Sequence, residues 1–171
     1  MTEQSLSSKV VRTPVVDLTL VASDCGLRAV LWPSDDDRVR LPSTPEPAVA
    51  HPVLDEVACQ IEQYFAGDRT RFDIDFDLRG TEFQVQVWEA LSGIPYGETS
   101  TYGAQAIQIG RPTAVRAVGA ANGRNPVSIV LPCHRIVGKD GSLTGFAGGL
   151  SAKQFLLDLE QEAHGASTSA D

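Results

Sequence analysis

The chain has 171 residues and a net charge of −8, and 42% of its residues are hydrophobic. Such a length and composition exclude a collagen-like or wholly disordered chain and fit a globular protein of one or two domains. No apolar run approaches the length of a membrane span and the N-terminus has no signal-peptide core, so we expect a cytoplasmic protein without a membrane partner. The three cysteines lack C-x-x-C spacing, which disfavours both a disulfide framework and a metal site.

The charges are distributed unevenly along the chain. Residues 1–98 carry a net charge of −9 and residues 140–171 carry −4, whereas residues 99–139 contain no acid and carry +5. The overall charge argues against a nucleic-acid partner. A local basic face can still contact phosphate, because screening limits the influence of distant charges. A basic face that is merely solvated stays the alternative.

The first part of the chain, residues 1–79, predicts a small α+β domain. Its expected elements, in chain order, are a mobile polar segment, the two strands of a hairpin, a loop and a helix that ends before Gly67: residues 1–12, 15–22, 27–32, 33–52 and 53–65. Apolar and acidic residues then alternate over residues 72–78. This alternation favours a strand with its aspartates on a solvated face over a metal site.

Residues 80–160 predict a mostly helical second domain. Thr81 and Gln84 have the spacing of a capping box, which predicts a helix start. Two short helices follow at residues 102–109 and 113–122, with a glycine turn between them, and form a helix-turn-helix candidate. The second consists mainly of small residues with one arginine, which favours sequence-independent contact with DNA over base reading. A helical hairpin within a bundle stays the alternative.

The apolar residues 127–131 predict a buried strand that ends at Pro132, directly before Cys133, His134 and Arg135. A thiol attacks as the thiolate, and imidazole or cationic neighbours lower its pKa. Cys133 is therefore a candidate nucleophile. The alternative is a buried structural cysteine, the usual role of a free cysteine.

The last predicted helix starts at Ser151, which has capping-box spacing to Gln154. Glu160 extends the apolar face of this helix. A carboxylate on an apolar face needs a partner, and His134 is the partner we expect; a solvated position at a frayed helix end stays equally open. Residues 161–171 predict a disordered tail.

Several motifs together resemble those of the O6-alkylguanine-DNA alkyltransferases. They lie, in order, at residues 94–97 (IPYG), 101–103 (TYG), 116–119 (RAVG), 125–126 (NP), 132–135 (PCHR) and 145–150 (GFAGGL), followed by Leu156 and Glu160. The N-terminal part resembles the ribonuclease-H-like domain of the family more loosely. The resemblance implies an α+β fold in which the second domain carries a helix-turn-helix and the active-site cysteine.

The resemblance implies DNA repair by direct reversal of damage. An O6-alkylguanine in duplex DNA is flipped out of the base stack, and Cys133 takes its alkyl group and keeps it as a thioether. The protein would be a methyltransferase that is consumed after one turnover and needs no cofactor. Activity on O4-alkylthymine stays open. We expect a monomer in solution, and cooperative binding to DNA stays open.

The resemblance also implies a role for each matching residue. Cys133 accepts the alkyl group, His134 is its general base through a bound water, Glu160 orients the imidazole and Asn125 braces the turn before the nucleophile. Tyr102 rotates the nucleotide, after which its hydroxyl meets the base. The residues assigned to DNA binding and base flipping are Tyr102, Arg116, Ala117, Gly119 and Arg135, and those assigned to the base pocket are Tyr102, Ile136, Phe146 and Ala147. Arg135 is open between a phosphate contact and a structural role.

Three other functions are weighed against alkyl transfer. A non-catalytic sensor of alkylguanine would lack the acceptor cysteine, which is present here as Cys133. A helix-turn-helix regulator needs base-reading side chains, which are scarce at residues 113–122. A Cys-His hydrolase needs an oxyanion hole and a hydrolysable acyl enzyme, and a thioether is not hydrolysed in this way.

Overall fold

The computed structural model describes residues 4–35 and 38–168, with side chains described up to residue 165. The chain divides into two compact units, Met1–Arg79 and Gly80–Asp171. The described part of the first unit combines a sheet with a helix, and that of the second is mostly helical. The predicted α+β class is therefore confirmed.

A four-stranded sheet and one helix form the first unit. Their bounds are β1 (Ser7–Val11), β2 (Leu18–Ser23), β3 (Gly26–Leu31), β4 (Glu46–Pro47) and α1 (Pro52–Phe65). The strand order is β3-β2-β1-β4, with β4 parallel to β1 and the other pairs antiparallel. Helix α1 starts with proline, which suits its first turn, and packs its buried residues Leu54, Val57 and Ile61 against the sheet.

The prediction of a mobile segment at residues 1–12 is wrong for its described part. Strand β1 forms there because its backbone pairs with β2 from Ser7 opposite Ala22 to Val11 opposite Leu18. Residues 1–3 lie outside the described residues. The polar composition of this segment could not indicate the strand, because the strand depends on backbone pairing with β2, and backbone pairing does not require particular side chains.

The alternating segment at residues 72–78 does not form the predicted strand, and its acidic face is solvated at Asp73 and Asp75 but not at Asp77. Its bridge to the sheet joins Phe76 to Leu27. Asp77 is buried, because its carboxylate accepts hydrogen bonds from the hydroxyl of Ser23 (2.7 Å), from Arg28 (3.2 Å) and from Arg79 (2.8 Å). These bonds offset the cost of removing the charge from water.

Replacement of Asp77 by asparagine is expected to lower the free energy of unfolding by about 2 kcal/mol, because the buried Arg28 loses its charged partner. Burial by itself raises the pKa of Asp77, but the bonds from Ser23 and Arg79 outweigh it and hold the pKa below its ordinary value. The stabilisation is therefore complete above about pH 4 and is lost as the pH falls. Denaturant unfolding at pH 7 and pH 3 tests this, with the exposed Asp73→Asn as control. Equal losses in the two variants would contradict it.

The second unit holds four helices and two short parallel strands among its described residues. Their bounds are α2 (Glu82–Ala90), β5 (Ser100–Thr101), α3 (Tyr102–Gln108), α4 (Val115–Gly123), β6 (Ile136–Val137) and α5 (Leu150–Thr168). The capping box at the start of α2 is present: Thr81 Oγ1 accepts from the backbone of Gln84, and Gln84 Oε1 accepts from the backbone of Thr81. Helices α3 and α4 pack together, with a hydrogen bond of 2.6 Å from Asn122 to Gln105.

The predicted strand at residues 127–131 is wrong. The segment is a buried turn in which the N–H of Leu131 donates to the carbonyl of Val127 and Ile129 has φ +76°. A left-handed backbone is costly at a β-branched residue and persists only where the surroundings enforce it. The buried Asn125 enforces it here, because its side chain donates to the carbonyl of Leu131 (2.9 Å) and accepts from the N–H of Val127 (3.1 Å).

Helix α5 differs from its prediction at both ends. It begins at Leu150, so that Ser151 lies within the first turn, and it continues to Thr168 through most of the predicted tail. The extension is held because Gln161 donates to the carbonyl of Gly97 (2.6 Å) and His164 packs on the same glycine. A Cβ at residue 97 would lie 2.8 Å from that of His164, and φ is +80° there, so this position needs glycine. Residues 169–171 lie outside the described residues.

Candidate active site

Cys133 lies on a short 3₁₀ turn, Cys133–Arg135, directly after the buried turn braced by Asn125. Its N–H donates to the carbonyl of Leu131 (2.9 Å), which also accepts from Asn125. The residue is 8% exposed, whereas the neighbouring His134 is fully buried. The two other cysteines, Cys25 and Cys59, are exposed. The fold thus holds the backbone of Cys133 by these hydrogen bonds and leaves the residue slightly exposed.

His134 and Glu160 meet inside this unit, with 2.9 Å between Nε2 of the imidazole and Oε1 of the carboxylate. Burial lowers the pKa of His134 and outweighs the opposing effect of Glu160. A neutral imidazole here donates from Nε2 to the carboxylate, which leaves Nδ1 as the acceptor. Nδ1 is buried and makes no hydrogen bond to the described residues. The neutral imidazole of His134 can therefore act as a base by accepting a proton at Nδ1.

Glu160 stays ionised because of its two basic neighbours. Burial by itself raises the pKa of Glu160, but the hydrogen bonds from His134 and Arg135 and the charge of the Arg135 guanidinium outweigh it and lower the pKa to about 2. The carboxylate therefore carries its charge throughout the neutral pH range. An ionised partner favours the imidazolium form that His134 would adopt after taking a proton.

The side chain of Arg135 is held within the protein, which is the structural one of its two predicted roles. Its assignment to phosphate stays a prediction. Its side chain is buried and donates to both oxygens of Glu160, at 2.7 to 3.1 Å, and to the carbonyl of Ile94 at 2.7 Å. The guanidinium also lies over the ring of Tyr96, 5.6 Å from its centroid. Glu160 and Ile94, which accept these hydrogen bonds, lie 25 and 41 positions from Arg135 in the chain. The sequence next to Arg135 therefore could not indicate them.

Lys153 is a site residue that the sequence analysis did not identify. Its side chain is fully buried on α5, and Nζ donates to the carbonyl of Thr144 at 2.7 Å. Burial lowers the pKa of Lys153, while Cys133 acts in the opposite direction and favours the charged amine. A signal was available, since Lys153 precedes Glu160 by two helical turns and therefore shares its buried face.

The residues assigned to DNA and to the base lie on α3, α4, the 3₁₀ turn, β6 and the segment before α5. Tyr102 begins α3 and is half-buried, and its hydroxyl lies 2.8 Å from Oγ1 of Thr144. Gly119 lies beside its ring, where a Cβ would come within 3.7 Å. Arg116 and Ala117 are exposed on α4.

The residues assigned to the base pocket differ in burial. Ile136 is fully buried on β6, whereas Phe146 and Ala147 are half-buried. The ring of Phe146 stands edge-on to that of His134, with 6.5 Å between the centroids. Phe146 thus brings the predicted pocket wall against the imidazole of the site.

Two negative findings concern the described residues alone. Within residues 4–35 and 38–168, no three or more His, Cys, Asp or Glu side chains are grouped so that they could hold a metal ion. In the same part of the chain, each helix falls short of the length and apolar character needed to cross a membrane.

Comparison with known proteins gives matches to both units. The model of the 6-O-methylguanine DNA methyltransferase DNA-binding domain matches residues 82–162, and that of the ribonuclease-like domain matches residues 8–78. A methylated-DNA--protein-cysteine methyltransferase of Mycobacterium tuberculosis H37Rv is 53% identical over 118 residues, 69% of each chain. One of Methanosarcina barkeri is 43% identical over 152 residues, which cover 89% of this chain and 95% of the relative.

A solved structure resembles the whole fold. The crystal structure of Mycobacterium tuberculosis OGT in complex with DNA has a TM-score of 0.83 and 42% sequence identity to this chain. The match covers 92% of this chain and 94% of that one. Both units are therefore similar to those of a single known protein.

Proposed function

The chain belongs to the 6-O-methylguanine DNA methyltransferase family, and from this premise we propose that it repairs duplex DNA by moving an alkyl group from O6 of guanine to its own Cys133. The second unit, Gly80–Asp171, holds every residue assigned to this reaction. The observation that carries the proposal is the fully buried His134, which follows Cys133 in the chain. Its Nε2 is bonded to Glu160, and its buried Nδ1 makes no hydrogen bond to the described residues.

The reaction is one displacement at carbon. The proton of the Cys133 thiol passes to Nδ1 of His134 through a water, and Glu160 stabilises the imidazolium that results. The sulfur forms a bond to the alkyl carbon as the bond from that carbon to O6 breaks, and the electron pair leaves with the guanine. The backbone N–H of Ala147 donates to O6 and so stabilises the departing anion. The imidazolium returns the proton to the guanine.

The alkyl carbon must first leave the base stack, because Cys133 is only 8% exposed and cannot reach a carbon inside the duplex. Exposed Arg116 and Ala117 on α4 contact the duplex, and Gly119 lets Tyr102 stand close to the helix. The acid-free residues 99–139 supply the positive charge that attracts the DNA backbone. Arg116 fills the space that the flipped base vacates.

The mass of the protein tests this function directly. Incubation with a duplex that carries one O6-methylguanine is expected to add the mass of one methylene to each chain, on the peptide that contains Cys133, without further turnover. An undamaged duplex of the same sequence is the control. A mass that stays unchanged under conditions where the lesion duplex is bound would instead indicate a non-catalytic damage sensor.

Replacement of Tyr102 or Arg116 by alanine is expected to slow repair in duplex DNA by at least about tenfold. Unstacking a base costs a few kcal/mol, and each variant removes a side chain whose contacts with the flipped state offset this cost. Reaction with free O6-methylguanine base should slow far less, because a free base needs no flipping. Rates of methyl transfer to each substrate test this, with the exposed Arg71→Ala of the first unit as the control. Equal slowing on both substrates would remove the flipping role.

We further propose that the protein acts as a monomer in the cytoplasm. Transfer to a cysteine of the same chain needs no second subunit, and a single-turnover reaction needs no cofactor to regenerate the thiol. Sedimentation of the free protein and of its complex with DNA tests the first of these points.

A further inference from the structure

Thr144 contacts two residues of the proposed site through two different oxygens. Its hydroxyl Oγ1 lies 2.8 Å from the hydroxyl of Tyr102, and its backbone carbonyl accepts from Nζ of Lys153 at 2.7 Å. Tyr102 begins helix α3, whereas Lys153 is buried in α5, two helical turns before Glu160. Thr144 thus joins the helix of the base-flipping side chain to the helix that carries Lys153 and Glu160.

The two contacts fix an otherwise exposed segment. Thr144 is exposed and lies between Gly141, whose φ is +83°, and Gly145, so its local sequence does little to restrict it. The bond from the fully buried Lys153 anchors its carbonyl, and the anchored backbone then holds the hydroxyl against Tyr102. The ring of Tyr102 is in turn limited by Gly119 of α4.

We propose that Thr144 is a positioning residue for base flipping, which holds Tyr102 in the orientation that a flipped nucleotide requires. The inference rests on the proposed function, in which the hydroxyl of Tyr102 meets the base. A hydroxyl donates one hydrogen bond and accepts up to two. When Thr144 donates to Tyr102, the hydrogen of the phenol stays available for the base, so the contact orients the ring without occupying its donor.

Binding without transfer provides the test, in a Cys133→Ser background. The measured quantity is the ratio of affinities for a duplex with O6-methylguanine and for the same duplex undamaged. Thr144→Val keeps the shape of the side chain and the carbonyl bond to Lys153 but removes the hydroxyl, and is expected to lower this ratio about fivefold, as the loss of one neutral hydrogen bond predicts. Thr144→Ser should restore it, and Thr70→Val, at an exposed threonine of the first unit, should leave it unchanged.

A second pair of variants separates orientation from a general loss of structure. In a Tyr102→Phe background the hydroxyl partner is already absent, so Thr144→Val should have no additional effect on the ratio. A full fivefold loss in that background, or an equal loss of affinity for both duplexes, would overturn the role of Thr144. This role and alkyl transfer fail separately: a protein with Cys133 intact that gains no mass refutes transfer, while the affinity ratio still reports on Thr144.

Discussion

The Cys133→Ser protein is expected to gain no mass from O6-methylguanine duplex while it still binds that duplex. Serine keeps the shape of the side chain, so the braced turn and its contacts should persist. At neutral pH, however, a hydroxyl is a far weaker nucleophile than a thiol, which is already partly ionised. The loss should therefore be complete within detection, and mass spectrometry after prolonged incubation measures it.

The chain offers matched controls for this variant. Cys25→Ser and Cys59→Ser remove exposed thiols of the first unit, and each protein should gain one methylene per chain at the wild-type rate. A mass gain that survives in Cys133→Ser but disappears in one of the other two variants would transfer the acceptor role to that cysteine. Loss of duplex binding by Cys133→Ser would show that the substitution disturbs the fold.

Replacement of Glu160 by glutamine is expected to slow methyl transfer about a hundredfold, because His134 loses the charge that supports its protonated form. It should also lower the free energy of unfolding by about 3 kcal/mol, because the buried Arg135 is left without its anionic partner. Single-turnover rates and denaturant unfolding give the two values separately. Glu162→Gln, exposed on the same helix, is the control.

The pH dependence of stability provides an independent check of Glu160. Its pKa is about 2 in the folded protein, below its ordinary value of 4.5, so the stabilisation is fully present above that ordinary value. It is lost as the pH falls from 4.5 towards 2. The wild-type protein should therefore lose stability over this range more steeply than Glu160→Gln. Parallel curves for the two proteins would contradict the assigned ionisation.

The sequence predicted those features that depend on local patterns. Helical periodicity indicated α1, the spacing of Thr81 and Gln84 indicated the start of α2, and the apolar face of the last helix indicated that Glu160 turns inward. The contact between Glu160 and His134 was one of two equally open predictions, the other being a solvated glutamate at a frayed helix end, and the structure has the contact. The features that it could not predict depend on residues distant in the chain.

The segment at residues 127–131 shows the difference most clearly. Its apolar, β-branched composition correctly indicates burial, but burial is equally compatible with a strand and with a turn. Asn125 favours the turn, because its side chain accepts from the N–H of Val127 and donates to the carbonyl of Leu131, one on each side of Ile129. In a strand, these two backbone groups would bond to a neighbouring strand. The role of Arg135 was open for a similar reason, because a guanidinium beside the nucleophile suits phosphate as well as a distant glutamate.

The extension of α5 beyond Glu160 lengthens the part of the chain that the active site needs. Every residue assigned to the chemistry lies at or before position 160, so a chain trimmed there would contain all of them. It would nevertheless lose Gln161 and His164, which clamp the turn at Gly97, three residues after the carbonyl of Ile94 that holds Arg135. Shortened versions of this protein should therefore keep these C-terminal residues, and purification tags belong at the opposite terminus.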